Sequence, residues 1–118
     1  MEIVSFEIAK KLKEKGFNNE CYAYYEPLNH CLNISKVFKT NTIAENYNCI
    51  TAPTISQVLK WLREKNDIMI FPVYSKNTSK WYCSIINADS LESYNLPLND
   101  SYELAALTGI KYCLDNFL

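Results

Sequence analysis

Ala52-Pro-Thr-Ile-Ser-Gln-Val-Leu-Lys-Trp-Leu-Arg-Glu-Lys-Asn-Asp67 decides how this 118-residue chain folds. It reads as an amphipathic helix running straight into an apolar strand. Thr54 is placed to cap the helix with its hydroxyl, Gln57 stands three residues on to reach back, and Pro53 bars extension upstream. The helix, Ile55 to Lys65, turns Ile55, Val58, Leu59 and Leu62 toward a core, with Trp61 at the border. Asn66-Asp67 ends it. This grammar dictates packing and says almost nothing about activity.

Downstream lie the clearest strands, Ile68 to Tyr74 and Lys80 to Ala88, joined by the polar turn Ser75-Lys-Asn-Thr-Ser79. Pro72 has no N–H to give a ladder, so the first of these is an edge strand or is bulged there. In the second, Trp81, Cys83 and Ile85 alternate with Lys80, Tyr82, Ser84 and Ile86. One set must pack on helices; the other leaves an aromatic surface in want of a partner. Leu91 to Tyr94 adds a short strand. After Leu96-Pro97, Asp100 is expected to cap a last helix, with Glu103 in the capping-box position. Its apolar face is Ala106, Leu107, Ile110, Cys113, Leu114 and Phe117. Gly109 inside that helix costs about 1 kcal/mol against Ala, which a close approach to another element would explain.

Upstream, Ser5 caps a helix from Phe6 to Lys15 that buries Phe6, Ala9 and Leu12, with Gly16 as its left-handed stop and Phe17 folding back. Glu20 to Tyr25 reads as a strand broken at Glu26-Pro27, and Cys31 to Phe38 as its weaker hairpin partner. Thr40 to Ile50 reads as a loop or a short edge strand. The expected fold is therefore α+β. A four- to five-stranded, mainly antiparallel sheet carries three helices largely on one face, α-β-β-α-β-β-(β)-α, in one domain over 1–118.

Composition narrows the chemistry. Charged residues are 21% of the chain, hydrophobic ones 48%, and the formal net charge is −1, so no general attraction to nucleic acid or anionic membrane is expected. Arg63 alone cannot build a bidentate phosphate or carboxylate site. With only Gly16 and Gly109, no glycine-rich phosphate loop forms. No apolar run spans a bilayer, and Met1-Glu2 opens on a helical pattern without a secretory leader, so a cytoplasmic protein is expected. Cys21, Cys31, Cys49, Cys83 and Cys113 contain no C-x-x-C pair and read as reduced thiols used as small apolar residues.

Three segments carry a resemblance. Ser5-Phe-Glu-Ile-Ala-Lys-Lys-Leu-Lys-Glu-Lys-Gly-Phe17, the central Ala52 to Lys65 stretch with its Ile-rich strand, and a closing helix from Tyr102-Glu103 through Ile110-Lys-Tyr-Cys-Leu114 stand in that order over about a third of the chain. Together they resemble small uncharacterised proteins of phages and prophages of Bacteroidetes. The lean toward Asn, Lys, Ile, Tyr and Phe, whose codons are rich in A and T, suits such a source. In that group Glu-Glu-Ala often stands where this chain has Glu103-Leu-Ala. The resemblance implies an accessory role in a bacterial cytoplasm and supplies no catalytic residue.

Reactive arrangements are weak. His30 adjoins Cys31, but neighbours in an extended segment face opposite ways, so a turn histidine beside a packed thiol is expected rather than a nucleophile and its base. Cys21, His30, Cys31 and Cys49 lack the paired spacing of a zinc knuckle. The acids, Glu7, Glu14, Glu64, Glu103 and Asp115 among them, fall on helix faces or caps and form no dyad. Asn33-Ile-Ser35, Asn77-Thr-Ser79 and Asn99-Asp-Ser101 match the glycosylation acceptor pattern by chance. The expectation is no catalytic residue, no metal and no cofactor.

What remains is a surface: Tyr22, Tyr24 and Tyr25 on the first strand, and Pro72, Lys76, Lys80, Trp81 and Tyr82 on the central hairpin. Such aromatics anchor protein partners, a second copy included. The alternation of Lys76, Lys80, Trp81 and Tyr82 is also how a sheet holds single-stranded nucleic acid. A non-enzymatic protein acting by protein binding or self-association is the leading expectation, a single-stranded nucleic-acid module the alternative.

Overall fold

The computed structural model describes residues 2–26 and 28–118, with residues 36–38 as backbone. Pro27, expected to break the first strand, lies outside them. The chain forms two compact units, 1–54 and 55–118.

In the first unit, helix α1 (Phe6–Glu14) starts where Ser5 accepts the Ile8 N–H at 3.3 Å, and it buries Ile8, Ala9 and Leu12. Gly16 takes φ +91°, a backbone geometry that favours glycine, and this lets the Phe17 N–H return to the Leu12 carbonyl. Phe17 is thereby buried beside Leu12; shielding each such side chain is worth about 1.5–3 kcal/mol. Strands β1 (Cys21–Tyr25) and β2 (Leu32–Lys39) pair antiparallel, with an irregularity between Cys21 and Ala23. Beyond them, helix α2 (Asn41–Glu45) is capped by Thr40, and the two-residue strand β3 (Ile50–Thr51) pairs with β1 to give the order β2-β1-β3. Buried Asn41 holds this unit together. Its amide donates to the Phe17 carbonyl at 2.7 Å and its Oδ1 accepts the Thr51 N–H at 3.0 Å.

In the second unit, helix α3 (Ile55–Asn66) buries Ile55, Val58, Trp61 and Leu62. Asp67, at φ 53°, turns the chain into β4 (Ile68–Ser75), which pairs along its whole length with β5 (Lys80–Asn87). Strand β6 (Glu92–Asn95) completes an antiparallel sheet of order β4-β5-β6. Helix α4 (Tyr102–Asn116) lies on that sheet and buries Ala105, Ala106, Gly109, Ile110, Cys113 and Leu114. A β-carbon built on Gly109 would overlap the Cys83 sulfur and stand 3.1 Å from Ile70 Cγ2. The glycine is the notch through which helix and sheet approach, as its place in the sequence suggested.

The α+β class stands, and the finer expectations are corrected. The strands form two three-stranded antiparallel sheets rather than one of four or five, and there are four helices among the described residues rather than three. The polar stretch read as loop holds α2, because Thr40 caps it and Asn41 anchors it in the core. The last helix is capped by Ser101, whose Oγ accepts the Leu104 N–H at 3.1 Å, one residue past the expected Asp100. Asp100 instead meets Lys80 at 3.3 Å. Trp61 is buried whereas Leu59 is half-buried, reversing their expected places.

Candidate interaction surface

Strand register decides what each face of the second sheet carries. Paired residues share a face, and the pairs alternate between faces. Ile70 pairs with Ile85, Pro72 with Cys83 and Tyr74 with Trp81, and these belong to the face that α4 covers. The opposite face carries the pairs Met69–Ile86, Phe71–Ser84, Val73–Tyr82 and Ser75–Lys80, continued on β6 by Ser93 and Asn95. None of this unit's helices lies on it. Phe71 and Ile86 are 47% and 37% exposed, while Met69, Val73, Tyr82 and Ser84 are half-buried. Lys80 is its one charged strand residue, and it sits at one end, neutralised by Asp100.

The free edge of this sheet is interrupted. The Leu96 N–H donates to the Cys83 carbonyl, and Trp81 exchanges both backbone bonds with Asn99, so odd-numbered β5 residues direct their main-chain groups toward β6. Pairing across to β4 therefore uses the even-numbered β5 residues and their partners Met69, Phe71, Val73 and Ser75. Ile68, Ile70, Pro72 and Tyr74 point theirs at the outer edge, and Pro72 leaves a missing donor there. As expected, β4 is an edge strand; it carries no bulge, and its register runs unbroken through Pro72.

The residues singled out in the sequence now separate. Trp81 lies on the helix side, between Tyr74 at 5.3 Å and Tyr102 at 5.5 Å between ring centroids. Tyr82 lies on the open face, Lys76 is exposed in the β4–β5 turn, and Lys80 is held by Asp100. The interleaved basic and aromatic arrangement that favoured nucleic acid is thus split between two faces, with one of its two lysines paired. In the first unit, Tyr25 is buried and donates its hydroxyl to the Val4 carbonyl at 2.6 Å, which removes it from any docking surface. That burial raises its phenol pKa above the usual value. Tyr22 is 49% exposed, and Tyr24 is half-buried beneath the Lys39 ammonium, 4.4 Å from its ring centre and 5.5 Å from that of Tyr47.

Sequence reasoning missed Phe71, Val73, Met69 and Ile86. A signal was present. Lys80 and Ser84 make the even set of β5 the polar one, so the odd set, Trp81, Cys83 and Ile85, belongs against the helices.

His30 is exposed in a tight turn at φ 55°, with its ring stacked on Phe6 at 3.7 Å and 10°. Cys31 is exposed as well, not packed as expected; it lies at the hairpin end, where its N–H is taken by Asn29 Oδ1 and its carbonyl by the Glu26 N–H. An open depression of about 760 Å³ in this unit is lined by Lys13, Glu26, Glu45, Tyr47, Cys49 and Ile50 among others, and His30 is not in its wall. Among the described residues no three His, Cys, Asp or Glu groups are gathered for a metal ion. Burial pushes the thiols of Cys21 and Cys83 up to about 11 and that of Cys113 to about 12, so these three are packing groups at neutral pH. Among the described residues no helix is long and apolar enough to cross a membrane.

No protein-family model, no curated protein and no solved structure matches this chain.

Proposed function

We propose that this chain is a non-enzymatic binding protein, of the accessory kind that its resemblance to phage and prophage proteins of a bacterial cytoplasm implies, and that it acts by docking another protein on the open face of the β4-β5-β6 sheet. One observation carries the reading. Phe71 and Ile86 stand exposed on the same side as Met69, Val73 and Tyr82, on a face that is nearly free of charge. Interface centres have this composition: aromatic and aliphatic side chains, with charges confined to the rim. Among the described residues lining the open depression of the first unit, no nucleophile is seen paired with a base.

The test is site-directed photo-crosslinking. A benzophenone side chain in place of Tyr82 is expected to give a defined protein adduct in bacterial extract, and Phe71→Asp is expected to abolish it. The same group in place of Lys76 is expected to give none. Equal labelling from both positions, or none from either, overturns the proposal.

A further inference from the structure

We infer that the protein seated on this face is a second copy of the same chain, the two sheets packing face to face about a two-fold axis parallel to the strands and midway between β4 and β5. This inference rests on the binding proposal above and adds the partner and its geometry.

The register carries the argument. A two-fold axis in that position exchanges the members of every β4–β5 pair, so each side chain meets its own cross-strand partner from the other copy. Phe71 of one copy then stands over Ser84 of its partner, and the reverse holds on the other side. A bulky, half-exposed ring faces a small residue twice, which is the self-complementarity that a closed two-fold interface requires. On either side of this pair, Val73 meets Tyr82 and Met69 meets Ile86. Facing sheets pack at about 10 Å through such interdigitation of large and small side chains.

Charge points the same way. Two copies of one face carry the same net charge and so repel overall when that charge is large, and here the strands bring almost none. The single Lys80 is already neutralised by Asp100 at the rim, and the whole chain has a net charge of only −1. The competing route to a dimer, continuation of the sheet across the β4 edge, is opposed by the missing donor at Pro72. The face is the better surface.

Sedimentation equilibrium of the purified full chain over a hundredfold concentration range tests this. The expected result is a monomer–dimer equilibrium, the dimer having twice the 13.7 kDa chain mass. Ser84→Trp fills the hollow and should raise the dissociation constant at least tenfold, and Phe71→Asp should do the same, while Lys76→Ala leaves it unchanged. Circular dichroism confirms that each variant keeps its fold. A monomer at every concentration, or a dimer indifferent to both substitutions, overturns the inference. If the purified chain stays monomeric while the Tyr82 crosslinker yields a heterologous adduct, the binding proposal survives and the second copy does not. With no adduct of any kind, both fall.

Discussion

Replacing Gly109 by alanine measures how closely α4 sits on its sheet. The new methyl group would overlap the Cys83 sulfur and press on Ile70 Cγ2 at 3.1 Å. Both neighbours are buried, so the strain has to be taken up by shifting helix against strand, and overpacking of this kind costs about 1–3 kcal/mol. Against that, alanine in a helix interior is favoured over glycine by about 1 kcal/mol. The net expectation for Gly109→Ala is a loss of up to about 2 kcal/mol. Cys83→Ala alone removes one buried sulfur and leaves a small void, a loss of roughly 1 kcal/mol. In the double variant the alanine methyl enters the space the sulfur vacated, 3.6 Å from the residue 83 β-carbon, an ordinary contact distance. The two losses should therefore fail to add by about 1–3 kcal/mol, and the double variant should be more stable than Gly109→Ala alone. Urea denaturation followed by far-ultraviolet circular dichroism gives all four corners of the cycle. If Gly109→Ala by itself gains about 1 kcal/mol, or the single effects sum within about 0.5 kcal/mol, the close-approach reasoning is wrong.

Asn41→Ala should destabilise the chain by roughly 2–4 kcal/mol, since it strands the buried Phe17 carbonyl and Thr51 N–H together; a loss under about 0.5 kcal/mol in a denaturant titration would contradict it. Of the five thiols, Cys31 alone should react rapidly with a disulfide reagent near pH 8, the other four being buried; a second fast thiol on the native protein would count against this packing. Cys21, Cys83 and Cys113 also set an alkaline limit. Their folded pKa values lie above the unfolded value near 9, so the stability they contribute is complete below pH 9. It is lost as pH rises toward 11–12, at about 1.4 kcal/mol per pH unit for each thiol. Denaturant midpoints that stay constant from pH 8 to pH 11 would refute this.

How much of this was legible beforehand differs by element. The central hairpin was, nearly to the residue, because β-branched and aromatic runs flank a polar turn and Pro72 marks the edge strand. Helices α1 and α3 were plain in extent, although in α1 Ile8 is buried where Phe6 was expected, and Phe6 is half-buried. Helix α2 was hidden. Five residues make too short a window for periodicity, and its stability comes from the hydrogen bonds of Asn41, which couple residues far apart in sequence. The cap of α4 slipped by one position because Asp100 and Ser101 are both good caps, and the choice falls to the tertiary pairing of Asp100 with Lys80. On the candidate surface, alternation showed that Trp81 and Tyr82 part company, yet both sets of side chains are large. Lys80 and Ser84 were the local hint that the even set faces away from the helices, and the notch at Gly109 against Cys83 fixes it. Tyr25 was misplaced because its inward turn depends on Val4, twenty-one positions away, receiving the hydroxyl.

The proline in β4 bears on the arithmetic of assembly. A sheet that stays sticky along its outer rim can recruit strand after strand and grow without limit into a filament. Here an incoming strand would find its row of donors broken at the third of four outward positions, so lengthening is discouraged while the flat side stays available. Pro72 therefore disfavours strand-by-strand growth at this edge, and Pro72→Val would restore the missing donor and reopen the way to fibrous growth.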